Sequence, residues 1–150
     1  MIFHAFQRED DDSVFTIVRN VAGSALAVGD PCEVSVATGA DGVRVNTCAA
    51  QANLFRGIVS EAIADSAYGK VQVHGYCSYA KVLVADTSIA VTAGYPLMPS
   101  TNAQSLIPIV TTTAATTAIK TGFGFVSTLA AVAVGSTTVP VASKVFIRAL

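Results

Sequence analysis

The sequence predicts an all-β protein: a single domain of many short antiparallel strands, folded as a barrel or a sandwich. Three observations lead to this prediction. Short runs of β-branched residues alternate with polar residues, turns containing glycine or proline separate these runs, and the phrase Gly-x-Pro occurs twice before an apolar run. A chain of 150 residues has the size expected for one domain.

The first predicted elements are a strand and a hairpin. Residues 14–22, "VFTIVRNVA", are rich in β-branched and aromatic residues, which favour a strand. Residues 34–45, "VSVATGADGVRV", contain two alternating runs on either side of Asp41-Gly42. This dipeptide is typical of a tight turn, so the segment predicts a β-hairpin.

Residues 52–68 fit either a helix or a strand. Their apolar side chains can be placed on one helical stripe, but Gly57 in the middle would cost a helix about 1 kcal/mol. We favour a strand followed by a turn at "ADSAYG". Residues 123–134 pose the same alternative, and there too we favour a strand.

The next segment, residues 70–85, alternates with a period of two. Val71, Val73 and Gly75 share one face, and Gly75 indicates a bulge or a close approach of another backbone. We expect "KVLVAD" to form a further strand. Because proline cannot donate to a strand ladder, Pro108 and Pro140 are predicted at edges or bulges.

The doubled phrase predicts two equivalent turns. Gly29-Asp30-Pro31 and Gly94-Tyr95-Pro96 each precede an apolar run, so we expect the chain to turn there before it re-enters the sheet. A weaker similarity relates "RGIVSEAIA…YGKVQVHG" to "FGFVSTLAAVAVGSTTVPVA". Together they suggest one local plan of strand, turn and strand in both halves of the chain.

The low proportion of charged residues predicts association with protein. The chain is 52% hydrophobic but only 13% charged, whereas a soluble domain has about 25% charged residues. Part of the surface is therefore expected to be covered by copies of the chain or by a partner. A net charge of −1 gives no reason to expect nucleic acid, and no apolar run is long enough to span a bilayer as a helix.

The cysteines and the first residues indicate no special processing. Cys32, Cys48 and Cys77 form no C-x-x-C pair, so we expect buried or half-buried free thiols, with one disulfide as the alternative. Residues 1–12 lack the basic and apolar regions of a secretory signal, so synthesis in the cytoplasm is expected.

Residue types that carry chemistry are scattered, and we predict no enzyme activity, no cofactor and no metal site. His74 and Cys77 are close in sequence, but residues three apart on a regular strand point to opposite faces. Tyr68, Tyr76 and Tyr79 form the one notable cluster. They are candidate interface aromatics and, alternatively, a surface on which a sugar could stack.

Two stretches carry a family resemblance. They are "GDPCEVSVA…FRGIVSEAIADSAYGKVQVHGYCSYAKVLVADTSIAVTAGYPLMPS" and the ending "SKVFIRAL". Their turn-and-strand pattern resembles the head decoration (cement) proteins of tailed bacteriophages. The resemblance implies a structural protein without catalysis on the outside of an icosahedral head. It further implies a homo-oligomer, with a trimer favoured, that binds the major capsid protein and braces neighbouring capsid subunits.

The chain is expected to comprise an N-terminal arm, residues 1–13, and a β-domain, residues 14–150. Ile2, Phe3 and Phe6 precede an acidic run and are candidate contacts of this arm with a capsid subunit. Three alternative functions remain open, in this order: another virion β-domain, in a tail, neck or fibre base; a carbohydrate-binding β-sandwich that uses the tyrosine cluster; and a hydrolase that uses His74 and Cys77.

Overall fold

The computed structural model describes residues 13–37, 39, 41–48, 54–84, 92–100, 104–109, 125–128 and 140–149. These residues form an all-β fold, as predicted, and contain no α-helix. The strands are β1 (Val14–Asn20), β2 (Pro31–Val34), β3 (Arg44–Thr47), β4 (Phe55–Val59), β5 (Tyr68–Val82), β6 (Pro96–Ser100), β7 (Ser105–Pro108), β8 (Phe125–Thr128) and β9 (Val141–Arg148).

The first five strands close into a barrel. They are hydrogen-bonded in the order β1-β3-β2-β4-β5, and β5 pairs back to β1. We call this barrel the first ring. The β1–β3 pairing is parallel, and the other pairings of the ring are antiparallel.

The last five strands repeat the same topology, with β5 serving both rings. The second ring has the order β5-β7-β6-β8-β9, and β9 pairs back to β5. Its β5–β7 pairing is parallel and the others are antiparallel, so each strand of the second ring matches the strand four places earlier. The structure thus extends the predicted common plan from a pair of strands to a complete five-stranded ring.

Equivalent positions in the two rings are buried alike. In the first ring Val21 donates its amide to the Val45 carbonyl (2.9 Å), and in the second Leu83 donates to Leu106 (2.8 Å). These bonds and the strand registers match buried residues in pairs: Val18 with Ala80, Cys32 with Leu97, Val45 with Leu106, Val71 with Val145 and Val73 with Ile147.

Each ring has its own apolar core, and β4 and β5 contribute to both. Val71 and Val73 of β5 belong to the core of the first ring, whereas Cys77 and Val82 belong to that of the second. Ile58 of β4 packs into the second core although its strand closes the first ring. Because the two cores share these strands, they are parts of one small domain.

The segments with ambiguous patterns are strands where the structure describes them. Residues 52–68 contain β4 and then a turn, as favoured from the sequence, and residues 123–134 contain β8. The predicted hairpin is the antiparallel pair β2–β3, in which β2 ends at Val34 and β3 begins at Arg44. The weaker sequence similarity between the halves aligns β4 with β8, which are the structurally equivalent strands. It places them two residues out of register, because Pro31 pairs with Ile58 whereas the equivalent Pro96 pairs with Ser127.

One prediction about strand division is wrong. The described part of "KVLVAD", residues 81–84, begins no new strand, because β5 continues through Val82 as one strand of 15 residues. Gly75 has φ of 96° and lies near the register irregularities of β5, so the predicted bulge region allows a single strand to serve two rings. Pro108 is the last residue of β7, and Pro140 immediately precedes β9.

Candidate docking surface on the first strand

The outer face of β1 carries exposed apolar side chains. Phe15 is 49% and Ile17 is 54% exposed, whereas Val18 points into the first core. Ile17 pairs with Lys70, and Arg19 pairs with Tyr68, which is 67% exposed. Paired residues of antiparallel strands share a face, so these five side chains form one surface, which we call the β1 surface.

β1 also has an unpaired edge. Among the described strands, β3 pairs with β1 only at Arg19 and Asn20, and β5 occupies the opposite edge. Among the described strands, the backbone of residues 14–18 therefore has no pairing on the β3 side. An open strand edge beside exposed apolar side chains is a favourable place for another chain to bind.

Charged groups of both signs border the β1 surface. Arg19 donates from Nε to the Ser66 carbonyl (3.3 Å), and the Glu61 carboxylate accepts the Lys70 amide (2.9 Å). Asp65 lies beside them and accepts the amide of Gly23 (3.0 Å). A polar rim around an apolar centre is the usual arrangement of a protein interface.

The three predicted interface tyrosines do not share one surface. Tyr68 belongs to the β1 surface, while Tyr76 is half-buried and pairs with Phe146 of β9. Tyr79 is partly buried against the second core, and its hydroxyl donates to Oε1 of Gln72 (2.8 Å). Burial raises the pKa of Tyr79 above its usual range. The flat tyrosine platform required for sugar stacking is therefore absent from these three positions.

The Gln72 side chain is buried and hydrogen-bonded in the middle of β5. Its side chain is 1% exposed, and its amide nitrogen donates to the carbonyl of Tyr76 (2.7 Å) and to Oγ of Ser13 (3.2 Å). With the Tyr79 hydroxyl on its oxygen, both ends of the amide are bonded. A buried amide must be satisfied in this way to avoid a desolvation cost of about 1–3 kcal/mol.

The structure gives His74 and Cys77 different surroundings. The His74 ring packs edge-on against Phe146, with centroids 5.4 Å apart. Cys77 is 1% exposed, and burial raises the pKa of its thiol, which disfavours the reactive thiolate.

The prediction of buried free thiols is confirmed. Cys32, Cys48 and Cys77 are all buried and unbridged. Burial is the main reason that the pKa of Cys32 rises to about 12, and burial also raises the pKa of Cys48. These cysteines therefore behave as small apolar core residues.

The described residues contain neither a candidate metal site nor a helix that could span a membrane. These residues contain no group of three or more His, Cys, Asp or Glu side chains that could hold a metal ion. The same parts of the chain contain no helix that is long and apolar enough to cross a membrane.

The remaining predicted site residues are the three apolar residues of the N-terminal arm. Ile2, Phe3 and Phe6 lie outside the described residues.

Phe15 and Ile17 were predicted as strand residues but not as site residues. The sequence signal was their alternation with Thr16 and Val18. Because both faces of the predicted strand carry apolar residues, this alternation does not show which face is exposed.

No protein-family description matches the chain, and no curated protein matches it.

Proposed function

We propose that the protein is a decoration protein of a tailed-bacteriophage head. It binds the outside of the icosahedral capsid as a homo-oligomer, with a trimer favoured, and stabilises contacts between major capsid subunits without catalysis. Its place of action is the outer surface of the virion, after synthesis in the host cytoplasm.

The observation that carries this proposal is the β1 surface on a weakly charged β-scaffold. Phe15, Ile17 and Tyr68 expose about half or more of their surface on adjacent strands, and only 13% of the chain is charged. Large apolar side chains grouped on a surface favour contact with protein. The resemblance of the turn-and-strand pattern to decoration proteins supplies the identity of the partner.

The copy number of the protein in purified virus particles tests the proposal. Quantitative mass spectrometry of particles made by the virus that encodes the chain is expected to find it in a fixed lattice ratio to the major capsid protein. Electron microscopy is expected to place it on the outside of the head. Particles that lack the protein should release their DNA at a lower temperature.

The alternatives predict different results from the same particles. A few copies at the neck, tail or fibre base would replace the decoration role by that of another virion component. Absence from particles, together with binding to a glycan array that Tyr68→Ala abolishes, would favour the carbohydrate-binding alternative.

A further inference from the structure

The outward side chains of β9 form a cationic surface. Val145 and Ile147 belong to the second core, so the alternate residues Lys144, Phe146 and Arg148 point outward, and all three are exposed. We call these three residues the β9 surface. None of the ion pairs between described residues includes Lys144 or Arg148. Neither β9 nor its neighbour β5 contains an aspartate or a glutamate, so these two strands supply no carboxylate for the cations.

The first ring provides its equivalent lysine with an acidic neighbour. Val71 of β5 and Val145 of β9 are equivalent positions, and Lys70 and Lys144 directly precede them. In the first ring the Glu61 carboxylate, in the connection before β5, accepts the Lys70 amide (2.9 Å). The corresponding connection before β9, residues 129–140, contains no acidic residue. The second ring therefore lacks the local negative charge that the first ring has.

Negative charge is concentrated in a different part of the chain. Residues 9–12 read Glu-Asp-Asp-Asp, which makes them the longest run of like charge in the sequence. Residues 87–150, in contrast, contain three cationic side chains and no acidic one. The acidic run and the β9 surface are therefore complementary in charge, and such complementarity favours contact between two surfaces.

The acidic run is connected to the fold beside the β9 surface. It directly precedes Ser13, whose hydroxyl donates to the Tyr76 carbonyl of β5 (3.3 Å). Tyr76 in turn pairs with Phe146, and β1 and β9 flank β5. Two strand spacings amount to about 10 Å, whereas four extended residues span about 13–14 Å. Residues 9–12 are therefore long enough to cross β5 and reach the β9 surface of their own chain.

We infer that residues 9–12 dock on the β9 surface of their own chain, with their carboxylates facing Lys144 and Arg148. The covalent connection through Ser13 gives the run an effective concentration on the order of millimolar, so exposed ion pairs that are individually weak are sufficient. The docked run also fixes the point on the second ring from which the apolar residues of the arm begin. This inference goes beyond the proposed function and does not depend on capsid binding.

Zero-length cross-linking with a water-soluble carbodiimide tests the contact in the purified protein. The reagent joins a carboxylate to a lysine amine where the two groups are in contact, and mass spectrometry of the digested product identifies the joined residues. We expect residues 9–12 to cross-link to Lys144 in preference to Lys70, the matched control in the first ring. Lys144→Arg keeps the charge but removes the amine, so it should abolish this product.

Variants of Arg148 test whether charge holds the run in place. Arg148→Lys keeps the positive charge and should keep the cross-linked product on β9. Arg148→Gln should lower the yield at Lys144 about two- to fivefold, as expected for the loss of an exposed ion pair. Salt at about 1 M limits electrostatic interaction to a range of about 3 Å and should also lower the yield. Circular dichroism checks that each variant is folded.

An equimolar mixture of isotope-labelled and unlabelled protein distinguishes contact within a chain from contact between copies. Docking within the chain gives cross-linked peptide pairs that are both labelled or both unlabelled. Mixed pairs would assign the β9 surface to a second copy and overturn the inference. Equal yields at Lys144 and Lys70, or a yield that Arg148→Gln leaves unchanged, would overturn it as well. The copy number in virus particles is measured independently, so failure of the inference is distinguishable from failure of the proposed function.

Discussion

Gly29 lies directly against Tyr79: a Cβ on the glycine would overlap the tyrosine carbonyl oxygen. Gly94, the equivalent residue of the second ring, has the same positive φ but open space around it. The two glycines therefore separate two effects that usually occur together, the strain of a left-handed backbone and the cost of a steric overlap.

Alanine substitutions at these glycines should differ in their effect on stability. Gly94→Ala introduces only backbone strain, about 1–2 kcal/mol. Gly29→Ala adds an overlap with backbone that cannot move aside easily, so we expect a loss at least twice as large. Chemical denaturation of both variants measures the difference, and equal losses would show that the first turn is not held against β5 in solution.

The contributions of the Asp30 and Lys81 side chains to stability should be strongly coupled. The Asp30 side chain is 7% exposed, and its other oxygen accepts the Ala27 amide (2.8 Å). Lys81→Met leaves a buried carboxylate without its cation, which costs about 3–5 kcal/mol in buried pairs and less here because Lys81 is 31% exposed. Asp30→Asn should cost less, since the amide oxygen can still accept from Ala27.

A double-mutant cycle on these two residues gives the coupling energy. We expect the double variant Asp30→Asn/Lys81→Met to lose less stability than the sum of the single variants. Additive losses would mean that the pair contributes only through its separate contacts. Arg44 and Asp41, a pair at 3.3 Å with side chains 34% and 50% exposed, provide the control and should show coupling below about 1 kcal/mol.

Removing two tyrosine hydroxyls should have unequal consequences. Tyr79→Phe deprives the buried Oε1 of Gln72 of its donor, so the free energy of unfolding should fall by about 1–3 kcal/mol. Tyr68→Phe alters an exposed side chain and should change stability by less than about 0.5 kcal/mol. Thermal unfolding of the two variants measures these changes in stability. A Tyr79→Phe variant as stable as the unaltered protein would indicate that Gln72 finds another donor.

The buried cysteines should make the protein less stable in alkali. The pKa of Cys32 is about 12 in the folded protein, against an ordinary value of 9.0 that applies to the unfolded chain. Between these values the unfolded state binds fewer protons, so the free energy of unfolding decreases as the pH rises. The slope should be about 1.4 kcal/mol per pH unit for each such thiol, and stability below pH 8 should not depend on this group.

The Cys32→Ala variant provides the control for the alkaline effect. Its free energy of unfolding should decrease less steeply between pH 9 and 11 than that of the unaltered protein, whatever its stability at neutral pH. Identical slopes would show that Cys32 ionises normally in the folded state and is therefore not buried as described.

The sequence by itself determined the strand-rich class of the fold, the two Gly-x-Pro turns and the burial of the thiols. These are local properties, because side-chain alternation and the dihedral preferences of glycine and proline act within a few residues. Tyr68 was predicted as a candidate interface aromatic together with Tyr76 and Tyr79, and of these three the structure exposes Tyr68.

Only the tertiary structure decided which strands pair and which turn is covered. The closure of two rings on β5, the inward turn of Tyr79 towards Gln72 and the exposure of Ile17 depend on contacts between residues far apart in the chain. The two Gly-x-Pro phrases read alike, yet Asp30 pairs with Lys81 while Tyr95 packs against the second core. Local preferences repeat with the sequence, but burial depends on what the rest of the chain brings to each position.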